Sequence, residues 1–240
     1  MFENRKYRSR AVKEGLVSFG VTVKETNLHI QADSDLTDPA TRAVLRCREL
    51  IESYILDYPR FASSLTPIPE DPFAPGIVND MINAGKKAGT GPMAAIAGAV
   101  AEYTGRNLLD FTGQILVENG GDIFVRSQTD TVFTIHAGKS RLSMKTGILI
   151  EKRETPFALC TSSGTLGHSK SFGNADAVTV LSGSAALADA AATGLCNMVH
   201  KERDIEKVIE KGKSITGVNG LAIIKGKHIG LWGDLQIVKL

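Results

Sequence analysis

The sequence predicts an α+β fold with a largely antiparallel sheet and packed helices. Two observations carry this. Strand-like segments come in pairs that flank helical segments, and that arrangement occurs twice. Two of the helical segments are built mainly of small residues, so another helix or a sheet can approach their backbones closely. The hydrophobic share of 42% over 240 residues is that of an ordinary globular chain, enough for one large domain or two small ones.

Residues 15–32 alternate well, with Leu16, Phe19, Val21 and Val23 followed by Leu28 and Ile30 after Thr26-Asn27, which predicts a β-hairpin. Asp38-Pro39 starts a helix whose apolar stripe is Val44, Leu45, Leu50, Ile51, Tyr54 and Ile55. Residues 58–76 hold five of the eight prolines and read as an irregular loop. A short amphipathic helix is expected over Ile77–Lys87. The first small-residue helix follows Gly89-Thr90-Gly91-Pro92. Strands are predicted at Gln114–Glu118, Ile123–Arg126, Thr131–His136, Gly147–Ile150 and Phe157–Thr161. Val178, Val180 and Leu181 form another, closed by Gly183-Ser184. The second small-residue helix then holds six alanines between Ala185 and Ala192, in keeping with alanine's helix propensity. Lys201–Lys213 is a charged helix, and a last hairpin runs through Leu221–Ile224 and Ile229–Val238.

The two small-residue helices align, Ala94-Ala95-Ile96-Ala97-Gly98-Ala99 with Ala185-Ala186-Leu187-Ala188-Asp189-Ala190. Two Ala-rich helices align by composition alone, and a true internal repeat is the other reading. A repeat makes residues 1–240 one domain of two related halves, approximately 15–125 and 130–240.

The formal net charge of +2 is too small to argue for nucleic acid or an anionic membrane surface as partner. The longest apolar-small run, roughly Pro92–Ala101, falls short of the ~20 residues of a membrane span. MFENRKYRSR carries no apolar segment behind its charges, so no secretory signal is read. Three widely spaced cysteines, Cys47, Cys160 and Cys196, fit a reducing compartment. The expectation is a cytoplasmic protein.

Five stretches can carry chemistry. Asp189 sits among alanines with Thr193 four residues on, so carboxylate and hydroxyl share a helix face. An acid there is costly to bury unpaired. Something must therefore satisfy it. Asn119-Gly120-Gly121-Asp122 lies between strands. It is either a hairpin turn or a backbone cradle for a phosphate or ring carbonyl. Thr161-Ser162-Ser163-Gly164, with Thr165 to Ser169 behind it, offers hydroxyls, amides and one imidazole, His168, suited to acid/base work near neutral pH. The other reading is a surface loop. Thr90-Gly91-Pro92-Met93 precedes a helix and could hold an anion, without the spacing of a Walker loop. Cys47 stands between Arg46 and Arg48, and cationic neighbours can activate a thiol. A half-buried helix cysteine is the plain alternative.

Together these stretches resemble the ApbE superfamily, the FAD:protein FMN transferases, over roughly residues 90–200. Asn119-Gly120-Gly121-Asp122-Ile123 resembles the family's NxGGDI. Thr161-Ser162-Ser163-Gly164 resembles its TSG turn, with His168 near the histidine that follows. Val178-Thr179-Val180 and Leu187-Ala188-Asp189-Ala190-Ala191-Ala192-Thr193 resemble its VTVVAP…LADALAT, the most specific match. Gly98-Ala99-Val100-Ala101 resembles its GAIAKG. The resemblance implies a duplicated T-fold-like architecture. It implies FAD or another flavin nucleotide as ligand and Mg²⁺ held by Asp189, Thr193 and a carbonyl at Ala99. The NGGD and TSSG stretches would contact the nucleotide, and an acceptor protein is a possible partner.

The chain departs from the pattern in three places. Glu102 stands where the transferases have lysine. The segment between Gly167 and Ala175 is much shorter than the family's HIIDPRTG region. No lipoprotein signal is read. The chain is thus similar to an uncharacterised archaeal and bacterial branch, linked in some methanogens to sulfide assimilation and homocysteine formation. Two functions stay open: Mg²⁺-dependent binding or transfer of a flavin nucleotide, with His168 as acid/base, and a thiol-dependent or accessory role in sulfur metabolism, with Cys47 reactive.

Overall fold

The computed structural model describes Lys13, residues 15–165 and residues 172–240. Eight strands form one antiparallel sheet: β1 (Val17–Val23), β2 (Thr26–Ala32), β3 (Ile115–Asn119), β4 (Asp122–Arg126), β7 (Phe157–Ser162), β8 (Ala177–Ser182), β9 (Val218–Lys225) and β10 (His228–Gly233), neighbouring one another in that order. A second, three-stranded sheet has the order β11 (Gln236–Lys239), β6 (Thr146–Ile150), β5 (Thr131–Thr134).

Strand alternation sorts the side chains of the large sheet between two cores. Val117, Phe124, Ala158, Cys160, Val178, Val180, Leu221 and Ile223 face the helices. Leu116, Val125, Phe157, Leu159, Ala177, Leu181, Ala222 and Ile224 face the second sheet, against Phe133, Ile148 and Ile150. Because both faces are covered, the central strands read as continuous apolar runs rather than as polar–apolar alternation.

The helical layer holds α1 (Thr37–Asp57), the single turn α2 (Arg60–Ser63), α3 (Gly76–Ala88), α4 (Ile96–Leu108), α5 (Ala185–Cys196) and α6 (Ile205–Lys213). Ten of the twelve residues of α5 are buried, because it packs on β7 and β8 below and on α3 and α4 at its sides. Only small side chains leave room for that many neighbours. Gly98 of α4 marks the closest approach: a Cβ built there would lie 2.2 Å from the Ala185 carbonyl oxygen and 2.9 Å from the Asp189 Cβ. Gly105, nearly two turns along, lets α4 settle on the Phe124 ring, 2.2 Å from a built Cβ.

Four predicted elements are corrected. The loop over 58–76 contains α2, held by the fully buried Phe61. The first small-residue helix opens with a 3-10 turn at Pro92–Ala95, so α4 proper begins at Ile96. The charged helix likewise begins with a 3-10 turn, Glu202–Asp204. The last hairpin is not one pair: the chain turns at Gly233, with φ +90°, and β11 leaves the large sheet to pair with β6. A side chain at Gly233 would meet the Asn219 carbonyl at 2.1 Å, so only glycine fits this crossing.

Gly98→Ala is expected to destabilise the fold. A backbone carbonyl cannot yield like a flexible side chain, and overpacking outweighs the gain in helix propensity by roughly 2 kcal/mol. Urea denaturation followed by circular dichroism checks this.

Candidate functional site

All the hairpin turns of the large sheet lie at one end of it. There β3 and β4 are joined by Gly120 (φ +73°) and Gly121 (φ +118°), a two-residue turn in which Asn119 pairs with Asp122. Two positive φ values in succession require glycine or its rare substitutes, so the tandem glycine does serve as the hairpin turn. It also fixes its flanks. Asn119 and Asp122 share strand parity with Val117 and Phe124 and therefore face the helices. The Asn119 Nδ2 donates to the Ala97 carbonyl at 3.1 Å, tying the turn to the start of α4. The Gly121 carbonyl accepts the Thr161 amide at 3.2 Å.

The next strand places Ser162 on the helix side, where it is buried. Thr161 has the opposite parity, and its hydroxyl meets that of Thr179 at 2.8 Å. Of the TSSG stretch, then, Thr161 turns its side chain away from the helices. Ser163 accepts the Thr165 amide at 3.1 Å. Gly164 donates to the Ala175 carbonyl at 2.9 Å, and a Cβ there would meet the Gly173 carbonyl at 2.1 Å. His168 lies outside the described residues.

Asp189 is buried, and one of its oxygens accepts the Gly98 amide at 2.9 Å, with the Ala97 amide a second donor. These amides belong to the first turn of α4, whose N–H groups have no partner within the helix. The carboxylate of α5 thus caps α4. Glu102 of α4 returns the contact: its Oε2 accepts the Ala185 amide at 2.6 Å, at the start of α5, while its Oε1 takes Arg106 at 2.7 Å and 2.9 Å. Glu102 is thereby committed to a helix cap. Thr193 is half-buried one turn beyond Asp189, and Ala99 is buried in α4, one residue past Gly98.

Asp122 and Asp189 face each other electrostatically. Burial pushes the Asp189 carboxyl up to about 7 despite its two amides, and burial with the Asp189 charge drives Asp122 well above the usual carboxylate range. Cys160, which hydrogen-bonds Asp122, is buried beside them, its thiol raised by burial and by both carboxylates. Two buried acids that resist ionising together form a site that a cation would relieve. Among the described residues no three His, Cys, Asp or Glu side chains cluster to hold a metal. A cation here would draw on hydroxyl, carbonyl or ligand oxygens as well.

The expected reactive thiol is corrected. Cys47 is 4% exposed on α1, and burial pushes its pKa up to about 11. Arg46 and Arg48 point elsewhere, Arg46 to Glu49 and Arg48 to Glu25 and Glu52. Flanking positions on a helix diverge by 100° each, so neighbours in sequence do not activate this sulfur. Cys160 and Cys196 are buried as well. The residue that sequence reasoning left as a mere departure is Glu102. Its signal was an acid four residues before Arg106 on a helix otherwise free of charge between Pro92 and Tyr103.

An antiparallel sheet carrying two small-residue helices, with a glycine turn and a buried acid pair at their junction, defines an ApbE-like fold. A family model described as "AbpE bacteria" matches residues 8–229, and the chain belongs to that family. It is similar to a UPF0280 protein of Methanococcus aeolicus, 40% identical over 91% of each chain. A UPF0280 protein of Methanocaldococcus jannaschii is 38% identical over 91% of this chain and 92% of its own. Among solved structures, the flavin transferase ApbE of Vibrio cholerae has a TM-score of 0.57 at 14% identity, covering 91% of this chain and 97% of that one. The ApbE protein of Thermotoga maritima has 0.55 at 15%, covering 90% and 96%. No helix among the described residues is long and apolar enough to cross a membrane.

Two outcomes are expected. The unfolded Asp189 carboxyl titrates near 4 and the folded one near 7, so between these values the folded chain holds more protons. Stability therefore falls as pH rises through that window, and is fully present below it. Asp189→Asn, whose amide oxygen can still accept Gly98, should flatten this fall, read by denaturant titration at pH 5 and pH 8. Second, a mild alkylating agent should leave Cys47, Cys160 and Cys196 unmodified in the folded protein and label all three in denaturant, read by mass spectrometry.

Proposed function

We propose that the chain binds a flavin nucleotide with the help of a divalent cation, at the junction of the β3–β4 turn with α4 and α5. The carrying observation is that Asp122 and Asp189 are buried together at the junction of the β3–β4 turn with the first turn of α4. Carboxylate, hydroxyl and carbonyl oxygens suit Mg²⁺, which keeps waters and substrate phosphates in its shell. Asp189 and Thr193, on one face of α5, would hold the ion, with a carbonyl near Ala99 and the nucleotide's phosphates completing it. When bound, Mg²⁺ supplies charge neutralisation at a pyrophosphate.

The chain's own groups have separate tasks in this reading. Gly120 and Gly121 keep the turn free of side chains, so a flat ring or phosphate can approach the backbone. Asn119 holds that turn against α4 through the Ala97 carbonyl. Ser162, Ser163 and Gly164 border the same end of the sheet and offer hydroxyl and amide contacts. Asp122 neighbours Asp189 and supplies further negative charge toward the cation. His168 is the acid/base group in the same proposal. Transfer of FMN to an acceptor protein, in the manner of the flavin transferases that share the fold, is the activity this site would serve.

We also infer that residues 15–125 and 130–240 are a duplication within one domain. The order strand, strand, helices, strand, strand holds for β1 to β4 and again for β7 to β10, with β5, β6 and β11 added as the second sheet. A sulfur-handling role through Cys47 finds no support in a thiol this deeply buried.

Calorimetry with FAD, with and without Mg²⁺, tests the proposal. The wild type is expected to bind only with Mg²⁺, and Asp189→Asn to lose that binding while melting as a folded protein. Release of AMP in the presence of acceptor would show transfer. Equal binding with and without Mg²⁺, or none in either, would overturn the metal-dependent reading.

A further inference from the structure

We propose that the edge strand β10 pairs antiparallel with β10 of a second copy of this chain. β10 closes one side of the eight-stranded sheet, so its outer N–H and C=O groups face no strand among the described residues. Natural edges are usually blunted by proline, inward charges or a covering segment. Within His228–Gly233 there is neither a proline nor a lysine. Instead Ile229 and Leu231 are 41% and 42% exposed. They lie opposite Ile224 and Ala222 of β9, on the face that carries the second core, and so extend that core to an open rim. On the other face Gly230 stands against Ile205 and Ile209 of α6, and beside it an open cleft of about 440 Å³ runs between strand and helix.

The charges around the strand select the occupant. Exposed Lys227 precedes it and Asp234 follows its end, while His228 is already paired with Glu202 at 2.9 Å. Antiparallel pairing of two copies sets the basic start of each strand beside the acidic end of the other, and the contact occurs twice. The Asp234 carboxylate is 69% exposed, with the Arg153 guanidinium 4.0 Å from it and donating to the Asp234 carbonyl at 3.1 Å. A strand that is apolar in the middle and oppositely charged at its ends is complementary to itself under a two-fold axis.

Sedimentation velocity of the full chain over a wide concentration range is the test, with circular dichroism melts to show that each variant folds. The wild type should sediment as a dimer. Ile229→Lys with Leu231→Lys should give a monomer. Lys227→Glu, at an exposed position, should weaken the dimer by roughly tenfold, since the altered contact is made twice. Adding Asp234→Lys to Lys227→Glu should restore it. A wild type that stays monomeric throughout, or a dimer that these substitutions leave unchanged, overturns the proposal. So does a wild type that assembles only when an extended peptide is supplied.

Discussion

Two carboxylates exchanged between two helices hold the centre of this molecule. Asp189 of α5 accepts the amides that open α4, and Glu102 of α4 accepts the amide that opens α5. Each helix start has backbone donors that no intrahelical carbonyl can satisfy, and each is buried where water does not reach. An acid from the facing helix satisfies them and also meets the positive end of the helix dipole. The exchange requires the backbones to touch, and Gly98, the alanines of α5 and the 3-10 turn before α4 all serve that approach. Replacing either acid by a side chain without an acceptor oxygen would leave an orphaned amide at the crossing, so the small-residue character of both helices and the position of both acids form one constraint.

The same crossing gives the site its electrostatics. Asp189 reaches Gly98 only from a buried position, and that burial raises its carboxyl. Asp122 arrives from the other side, set by the tight β3–β4 turn and by strand parity. Asn119 locks the turn to α4. A structural cap and a charged site thus share one residue. This explains how a buried acid is tolerated here: two backbone amides answer it.

The large sheet acts as a partition. Its helix-facing side carries the acid pair, Ser162 and the buried Cys160. Its other side carries an apolar core closed by β5, β6 and β11, with the Thr161–Thr179 hydroxyl pair on it. A hydroxyl one residue away from Ser162 is therefore on the wrong side of the sheet for the site. The edges of the partition behave differently from its centre, since β10 keeps apolar side chains at an open rim.

Much of the architecture was legible in the residues. The alternation of Leu16 to Ile30, the stripe of α1, the strand runs and the alanine-rich helices each reflect a local period or propensity that survives folding. The likeness of Leu187–Thr193 and Asn119–Asp122 to ApbE motifs also lay in the sequence, because those residues are neighbours along the chain. What only the tertiary structure decided are relations across the chain. Residues 102 and 185, or 98 and 189, meet through packing of distant helices, and no local rule links them. Whether Asp189 meets an amide, whether Cys47 lies under α4's neighbours or at the surface, and which sheet takes β11 all depend on burial. Burial is a property of the assembled core, and the sequence states only which side chains can be buried, not what will lie against them.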